Sequence, residues 1–101
     1  MSSALPSRFP NPLPRTGPET WCFAVQAEAS PGLMPRVLEL FAKRNLVPGR
    51  WHSALTPGST ELSMDIQVAQ IDGELAAYLA SCMRQLVGVT TVLVARKGTF
   101  A

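Results

Sequence analysis

Apolar and polar residues recur with two periods along this chain, and each period predicts a kind of element. In residues 21–28 every second residue is apolar and faces one side, which is typical of a β-strand with one buried face. From residue 33 the apolar residues instead follow the spacing of one helix face. They are Leu33, Val37, Leu40 and Phe41, widened by Met34 and Leu38. The folded part therefore begins with a strand followed by an amphipathic helix.

The ends of this first helix have their own signals. Ser30 can act as the N-cap by accepting a backbone hydrogen bond, and Pro31 suits the first helical position. Pro35 lies in the first turn, where the N–H that proline lacks would have no partner within the helix. Asn45 tolerates the left-handed conformation that ends many helices, and Pro48–Gly49 marks a turn beyond it.

The second half of the chain repeats this order with one extra strand. Residues 50–55 predict a second strand, and residues 56–59 form a turn rich in Pro, Gly and Ser. Residues 62–69 alternate most clearly, with one apolar and one polar face. Asp72 caps a second helix that runs to about Leu86, and residues 87–95 predict a last, branched strand. The order predicts an α+β fold, the ferredoxin-like βαββαβ sandwich, with a four-stranded sheet and two helices on one face.

Proline use divides the chain. Five of the nine prolines lie in the first eighteen residues. Residues 1–19 are therefore predicted to be a proline-rich flexible leader or, alternatively, an arm that lies along a partner. Residues 20–95 form the domain, and residues 96–101 form a basic tail. A domain of about 80 residues is marginally stable alone, and a free four-stranded sheet has two unpaired edges, so we expect a homodimer through sheet edges.

Charge and composition exclude several classes of function. The net charge is +2, but residues 20–95 hold five bases and six acids, so the folded domain lacks the basic face of a nucleic-acid binder. No apolar run approaches the roughly 20 residues that span a membrane. The cysteines Cys22 and Cys82 are expected to be buried thiols in a cytoplasmic protein. Neither they nor His52 form a metal or catalytic motif, so we expect no cofactor and no enzyme activity.

The loop that leads into the first helix is the best candidate site. Unpaired N–H groups and the helix dipole favour an anion there, such as the carboxylate of a free amino acid. Gly32 lets a ligand or a second backbone approach closely. An ordinary packed helix start would explain the same residues, and their spacing alone leaves both interpretations open.

The run from Phe23 to Arg44 resembles the opening of an ACT domain. It contains Pro-Gly-Leu-x-x-Arg-Val-x-x-Leu-Phe-x-x-Arg from Pro31 onward, and residues 86–92, Leu-Val-Gly-Val-Thr-Thr-Val, are similar to the family's closing helix and strand. The pattern is most similar to the short, single-domain small regulatory subunits of acetolactate (acetohydroxyacid) synthase. The resemblance implies a βαββαβ regulatory module that commonly binds amino acids, and that pairs side by side with ligand sites at the interface.

The resemblance also indicates which residues would bind the ligand. They are Ser30, Gly32, Leu33, Asn45 and Gly49. Two positions that are often polar in amino-acid-binding members are Ala29 and Val47 here, and neither side chain can hydrogen-bond an amino-acid head group.

Two functions are consistent with these observations. One is a small regulatory protein of amino-acid metabolism, either an amino-acid sensor or the regulatory subunit of a biosynthetic enzyme such as acetolactate synthase. The other is a ligand-free assembly module that docks a catalytic subunit through its sheet edges and helix-free face.

Overall fold

The computed structural model describes residues 18–98 and confirms the βαββαβ order. The elements are β1 (Glu19–Glu28), α1 (Leu33–Ala42), β2 (Arg50–Leu55), β3 (Glu61–Ile71), α2 (Gly73–Arg84) and β4 (Val89–Arg96). Most of the predicted leader, and residues 99–101 of the predicted tail, lie outside the described residues. Strand β1 begins one residue before the predicted domain, and β4 ends one residue beyond it.

The four strands form one antiparallel sheet in the order β2-β3-β1-β4, so β2 and β4 are its edges. Both helices pack on one face of this sheet, because their buried residues join the inward side chains of the strands in a single core. Phe23 of β1 and Phe41 of α1 meet edge to face there, with ring centroids 5.8 Å apart. Within residues 18–98, no helix packs on the opposite face of the sheet.

The burial pattern confirms the predicted strand faces. Strand β3 buries Leu62, Met64, Ile66 and Val68, as its alternation predicts. The alternation then breaks at Gln70, whose φ of 65° accompanies a bulge against β1. This extra residue returns Ile71 to the core side, so β3 is longer than the sequence pattern indicates.

The start of α1 differs from the prediction. Its N-cap is Gly32, and no side chain caps it. Ser30 is separated from the helix by a turn in which the N–H of Leu33 donates to the Ser30 carbonyl at 3.1 Å. The Ser30 hydroxyl therefore lies too early in the chain to cap α1, and Pro31 lies before the first helical position. Asn45 does adopt the expected left-handed conformation, with φ of 61°.

Four residues are more exposed than the sequence indicated. Met34 and Leu38 are 38% and 47% exposed, because α1 buries only the narrow stripe of Leu33, Val37 and Phe41. Cys22 and Cys82 are free thiols and only half-buried. Cys22 alternates with the buried residues of β1 and so lies on the helix-free face.

The second helix begins as predicted and ends earlier. The Asp72 carboxylate accepts a hydrogen bond from the N–H of Leu75 at 2.8 Å, which confirms the N-cap. The helix ends at Arg84 instead of Leu86. Gly88 then takes φ of 97°, which is costly for other residues, so β4 begins at Val89.

Candidate functional site

Backbone hydrogen bonds fix the loop between β1 and α1. The N–H of Ala29 donates to the carbonyl of Thr60 at 2.7 Å, and the N–H of Glu28 donates to the carbonyl of Gly88 at 2.8 Å. These bonds tie the end of β1 to the turns that precede β3 and β4. The first turn of α1 is therefore held in a fixed position at this end of the sheet.

Backbone donors remain free at the start of α1. Pro35 has no N–H, and the N–H of Leu33 is already paired with Ser30. The N–H of Met34 has no partner within the part of the chain that the structure describes. With the positive end of the helix dipole, this arrangement favours an anion.

Arg36 adds a formal positive charge to the same place. Its Nη2 and Cζ atoms lie 3.6 and 3.7 Å from the position that a Cβ on Gly32 would occupy, so its guanidinium folds back over the helix N-terminus. Between residues 18 and 98, the one ion pair joins Arg96 and Glu19, so Arg36 has no carboxylate partner there. The sequence analysis missed Arg36. Its spacing from Gly32, four residues later on the same helix face, is the signal that could have found it.

The backbone does not require glycine at position 32. Gly32 has φ of −87°, which any residue adopts, and an added Cβ would make only ordinary contact with the end of the Arg36 side chain. The space beside Gly32 is occupied by the end of the Arg36 side chain, and the expected close approach of a ligand stays a prediction.

The predicted site residues fall into two groups. Ser30, Gly32 and Leu33 precede or begin α1, whereas Asn45 and Gly49 follow its end. A helix of ten residues is about 15 Å long, so one chain does not bring the two groups together. In the second group, the N–H of Gly49 donates to the carbonyl of Gln67 at 2.9 Å. This bond attaches the end of the segment between α1 and β2 to β3.

The apolar residues at the two positions where a ligand-binding site would need polar side chains, Ala29 and Val47, differ in their surroundings. Ala29 is half-buried and packs against the core, whereas Val47 is 84% exposed. Glu28, an alternative acceptor for an ammonium group, alternates with the buried residues of β1 and is on the helix-free side. The side chains of Ala29, Val47 and Glu28 therefore offer no acceptor for an ammonium group beside Arg36.

An apolar groove follows the exposed flank of α1. It has a volume of about 540 Å³ and is lined by Met34, Pro35, Leu38, Val47, Pro48 and Trp51. Trp51 belongs to the edge strand β2, so the groove lies directly beside unpaired backbone groups of the sheet. An exposed apolar surface next to a free strand edge is typical of an interaction site.

Residues 18–98 contain no group of three or more His, Cys, Asp or Glu side chains placed to hold a metal ion. None of the helices in this range is long and apolar enough to cross a membrane.

Comparisons with known proteins agree with the fold. Residues 19–99 match the sequence model of a family described as ACT-like domain. The crystal structure of the ACT domain from GTP pyrophosphokinase of Chlorobium tepidum is similar, with 13% identity, a TM-score of 0.64, and 77% of this chain and 99% of that chain covered. An uncharacterized protein from Thermotoga maritima matches with 12% identity, a TM-score of 0.63, and coverage of 79% and 98%.

A third structure places the same fold within a larger enzyme. A formyltetrahydrofolate deformylase from Pseudomonas putida KT2440 matches with 16% identity and a TM-score of 0.60, over 76% of this chain but only 28% of that chain. At these identities the likeness shows the fold alone. None of the curated proteins matches this chain in sequence. The comparisons therefore do not single out the small subunit of acetolactate synthase.

Proposed function

This chain belongs to the family of ACT-like domains, and we propose that it is a regulatory protein of amino-acid metabolism that binds an amino acid or a related carboxylate. The observation that carries this proposal is the Arg36 guanidinium over the open N-terminus of α1. The ligand carboxylate binds between this guanidinium and the free N–H of Met34, where both donors and the helix dipole favour negative charge.

The proposed dimer forms through the edge strand β2. The large apolar residues exposed on this side are Met34, Leu38, Val47 and Leu55, and the apolar groove lies among them. Two β2 strands that pair antiparallel about a two-fold axis would extend the sheet to eight strands and cover both grooves.

This dimer brings the two groups of site residues together. A two-fold axis perpendicular to the sheet reverses the second copy, so the start of α1 in one copy lies beside the end of α1 in the other. Ser30, Gly32 and Leu33 of one copy then face Asn45 and Gly49 of the second copy. Asn45 would then supply a side-chain oxygen for the ligand ammonium.

Ligand binding would regulate the protein by changing the balance between monomer and dimer. A ligand held between two copies binds the dimer better than the monomer, and therefore shifts the population towards the dimer. A catalytic subunit that binds only one assembly state would then respond to the ligand. Acetolactate synthase is one candidate for this partner, supported by the sequence resemblance and by the fold.

Calorimetric titration with the common amino acids and their 2-oxo acids tests ligand binding. We expect one of them to bind, and Arg36→Gln to weaken its affinity at least about tenfold, because a charge-assisted hydrogen bond contributes about 1.5–3 kcal/mol. Lys97→Gln is the matched control, because Lys97 is exposed beside the other sheet edge. If none of these compounds releases heat or shifts the thermal unfolding temperature, the sensor function is wrong.

Mixing two defective variants tests the shared site separately. For an amino-acid ligand, Arg36→Gln and Asn45→Ala would each weaken both sites of their own homodimer. In a statistical mixture, about one quarter of all sites combine the intact Arg36 of one copy with the intact Asn45 of another, so this fraction of binding should return. No recovery of binding would show that both residues act within one chain or that Asn45 is not involved.

A second candidate function is the ligand-free assembly module. The observation that favours it is the apolar character of Ala29 and of the exposed Val47, where a head-group ligand would need polar side chains. This function predicts co-purification with a catalytic subunit from the native host and no response to amino acids. Isolation of the homodimer alone would count against it.

The proposal includes a cytoplasmic, non-catalytic role. The free thiols of Cys22 and Cys82 suit a reducing compartment, and they belong to different faces of the fold. Assays of the purified protein for turnover of bound ligand would contradict the non-catalytic role if any product formed.

A further inference from the structure

The helix-free face of the sheet has a polar side and an apolar side. Strands β2 and β3 present charged and hydrogen-bonding side chains on this face, namely Arg50, His52, Asp65 and Gln67. A trough of about 330 Å³ lies between these side chains and the short side chains of β1 and β4. A cavity that joins charged groups to an apolar wall is typical of a small-molecule site.

The strand register brings the four polar residues close together. Arg50 is the direct partner of Gln67, and His52 is the direct partner of Asp65. Neighbouring strands lie about 4.8 Å apart, and residues two apart along a strand lie about 7 Å apart. The four side chains therefore start from the corners of a rectangle of about 5 by 7 Å, so one ligand of a few atoms can contact all of them.

The two charged groups of this set are not paired with other groups of the protein. Arg50 and Asp65 are exposed, and neither has an ion-pair partner among residues 18–98. In the next row of the sheet, by contrast, the Ser63 hydroxyl donates to Oε1 of Gln26 at 3.0 Å. The polar side chains of that row satisfy each other, whereas the charges of Arg50 and Asp65 remain available to a ligand.

The apolar side of the trough is lined by Cys22 and Ala24 of β1 and by Leu93 and Ala95 of β4. Cys22 and Ala24 are short and half-buried, so β1 forms the floor. Leu93 is 66% exposed and is the direct partner of Ala24, so it forms the wall on the β4 side. This part of the trough can contact a hydrocarbon group but supplies no charge.

We propose that the trough binds a small carboxylate that carries an amino or hydroxyl group on the neighbouring carbon. The guanidinium of Arg50 and the side-chain amide of Gln67 donate to the ligand carboxylate. The ring N–H of His52 can donate a further hydrogen bond to the same carboxylate, and the amino or hydroxyl group donates to Asp65. The hydrocarbon part of the ligand lies against Leu93.

This site is separate from the one proposed at the start of α1. The helices pack on one face of the sheet and the trough opens on the other, so the sheet lies between the two sites. The trough also holds a donor in Arg50 and an acceptor in Asp65 within one chain, whereas the α1 site takes its acceptor from a second copy. Binding in the trough therefore requires neither the proposed function nor the dimer.

Protection of a native thiol reports on binding in the trough. Cys22 lines the trough, whereas Cys82 lies on α2, which packs against the other face. The rates of alkylation of both thiols in the full chain are measured by peptide mass spectrometry. Each common amino acid apart from cysteine, its 2-hydroxy acid and its 2-oxo acid is added at about 10 mM, which occupies about nine tenths of a site with a Kd of about 1 mM. We expect at least one amino acid or 2-hydroxy acid to slow the alkylation of Cys22 about tenfold and to leave Cys82 unchanged.

Variants of the two charged residues test their roles. Arg50→Gln and Asp65→Ala should each weaken the affinity for the protecting ligand at least about tenfold, because each removes a charge-assisted hydrogen bond. Glu61→Ala is the matched control, because it removes a carboxylate from the same strand and face at a position outside the trough. Arg36→Gln changes the α1 site alone and should leave the protection of Cys22 as it is in the native chain.

Several results would overturn this assignment. Absence of Cys22 protection with every compound, or equal protection of Cys82, would show that none of them binds in the trough. Protection that persists in both Arg50→Gln and Asp65→Ala would show that these charges do not hold the ligand. Equal protection by the 2-oxo acids, which have no donor for Asp65, would show that this residue does not select the ligand. Loss of Cys22 protection in Arg36→Gln would place the ligand at the start of α1, and would leave the proposed function standing without the trough site.

Discussion

Replacing Leu38 by Asp tests the proposed interface at β2. In the monomer, the Leu38 side chain is 47% exposed on the outer flank of α1, in the apolar groove beside Trp51. The covered half of the side chain contributes about 1 kcal/mol to the monomer, so the substitution costs the isolated domain about this much and we expect it to remain folded. In the dimer, the exposed half of this side chain would be covered by the second copy.

The expected magnitude follows from this exposure. Complete burial of a leucine side chain contributes about 1.5–3 kcal/mol, so burial of the exposed half contributes about 1 kcal/mol. The two-fold axis places Leu38 in the interface twice, which gives about 2 kcal/mol for the dimer. Loss of this contribution alone weakens the dimer about 30-fold, and the desolvation of two carboxylates weakens it further.

Sedimentation equilibrium over a range of concentrations measures this change. Val87→Asp is the matched control, because Val87 is 86% exposed in the turn before β4, away from the groove. Far-ultraviolet circular dichroism of each variant establishes that the fold persists. A dimer of native strength in Leu38→Asp, or equal weakening by Val87→Asp, would refute the assignment of β2 as the interface.

Two further predictions concern the elements that position the site. Phe41→Ala should destabilise the domain by about 3–5 kcal/mol in urea unfolding, because Phe41 is completely buried against Phe23, and a loss below about 1 kcal/mol would contradict this packing. Asp72→Ala should lower stability by about 1 kcal/mol in the same assay, because it removes the cap on the N–H of Leu75, whereas Asp72→Asn should retain most of it. Equal losses in both Asp72 variants would show that the cap does not carry the effect.

The sequence predicted best where a residue pattern depends on neighbours within one element. The alternation of β3 and the cap at Asp72 involve only local geometry, and both are confirmed. The predicted start of α1 was wrong. Ser30 satisfies the general rule for an N-cap, but the loop is bonded to Thr60 and Gly88 and the helix begins only at Leu33. Those bonds join residues far apart in sequence, and no local pattern reveals them.

Exposure on α1 was missed for a related reason. The helical period shows that Met34 and Leu38 lie near the apolar stripe, but the position of the sheet edge decides whether they are covered. Strand β2 ends the sheet beside them, so they stay exposed. Met34 and Leu38 both line the groove. The two residues of α1 that are more exposed than predicted therefore belong to the surface proposed as the dimer interface.

The chemistry of the site suggests how its ligand is selected. Arg36 and the start of α1 supply donors for a carboxylate, whereas Glu28 lies on the other face of the sheet and Ala29 and Val47 carry no acceptor. In the proposed dimer, a ligand ammonium would find its acceptor in Asn45 of the second copy, while a 2-oxo acid needs none. If Asn45→Ala weakens the binding of an amino acid but leaves its 2-oxo acid unaffected, the dimer itself discriminates between them. The same substitution would then uncouple dimerisation from amino-acid recognition, because Asn45 has an exposed side chain outside the apolar groove.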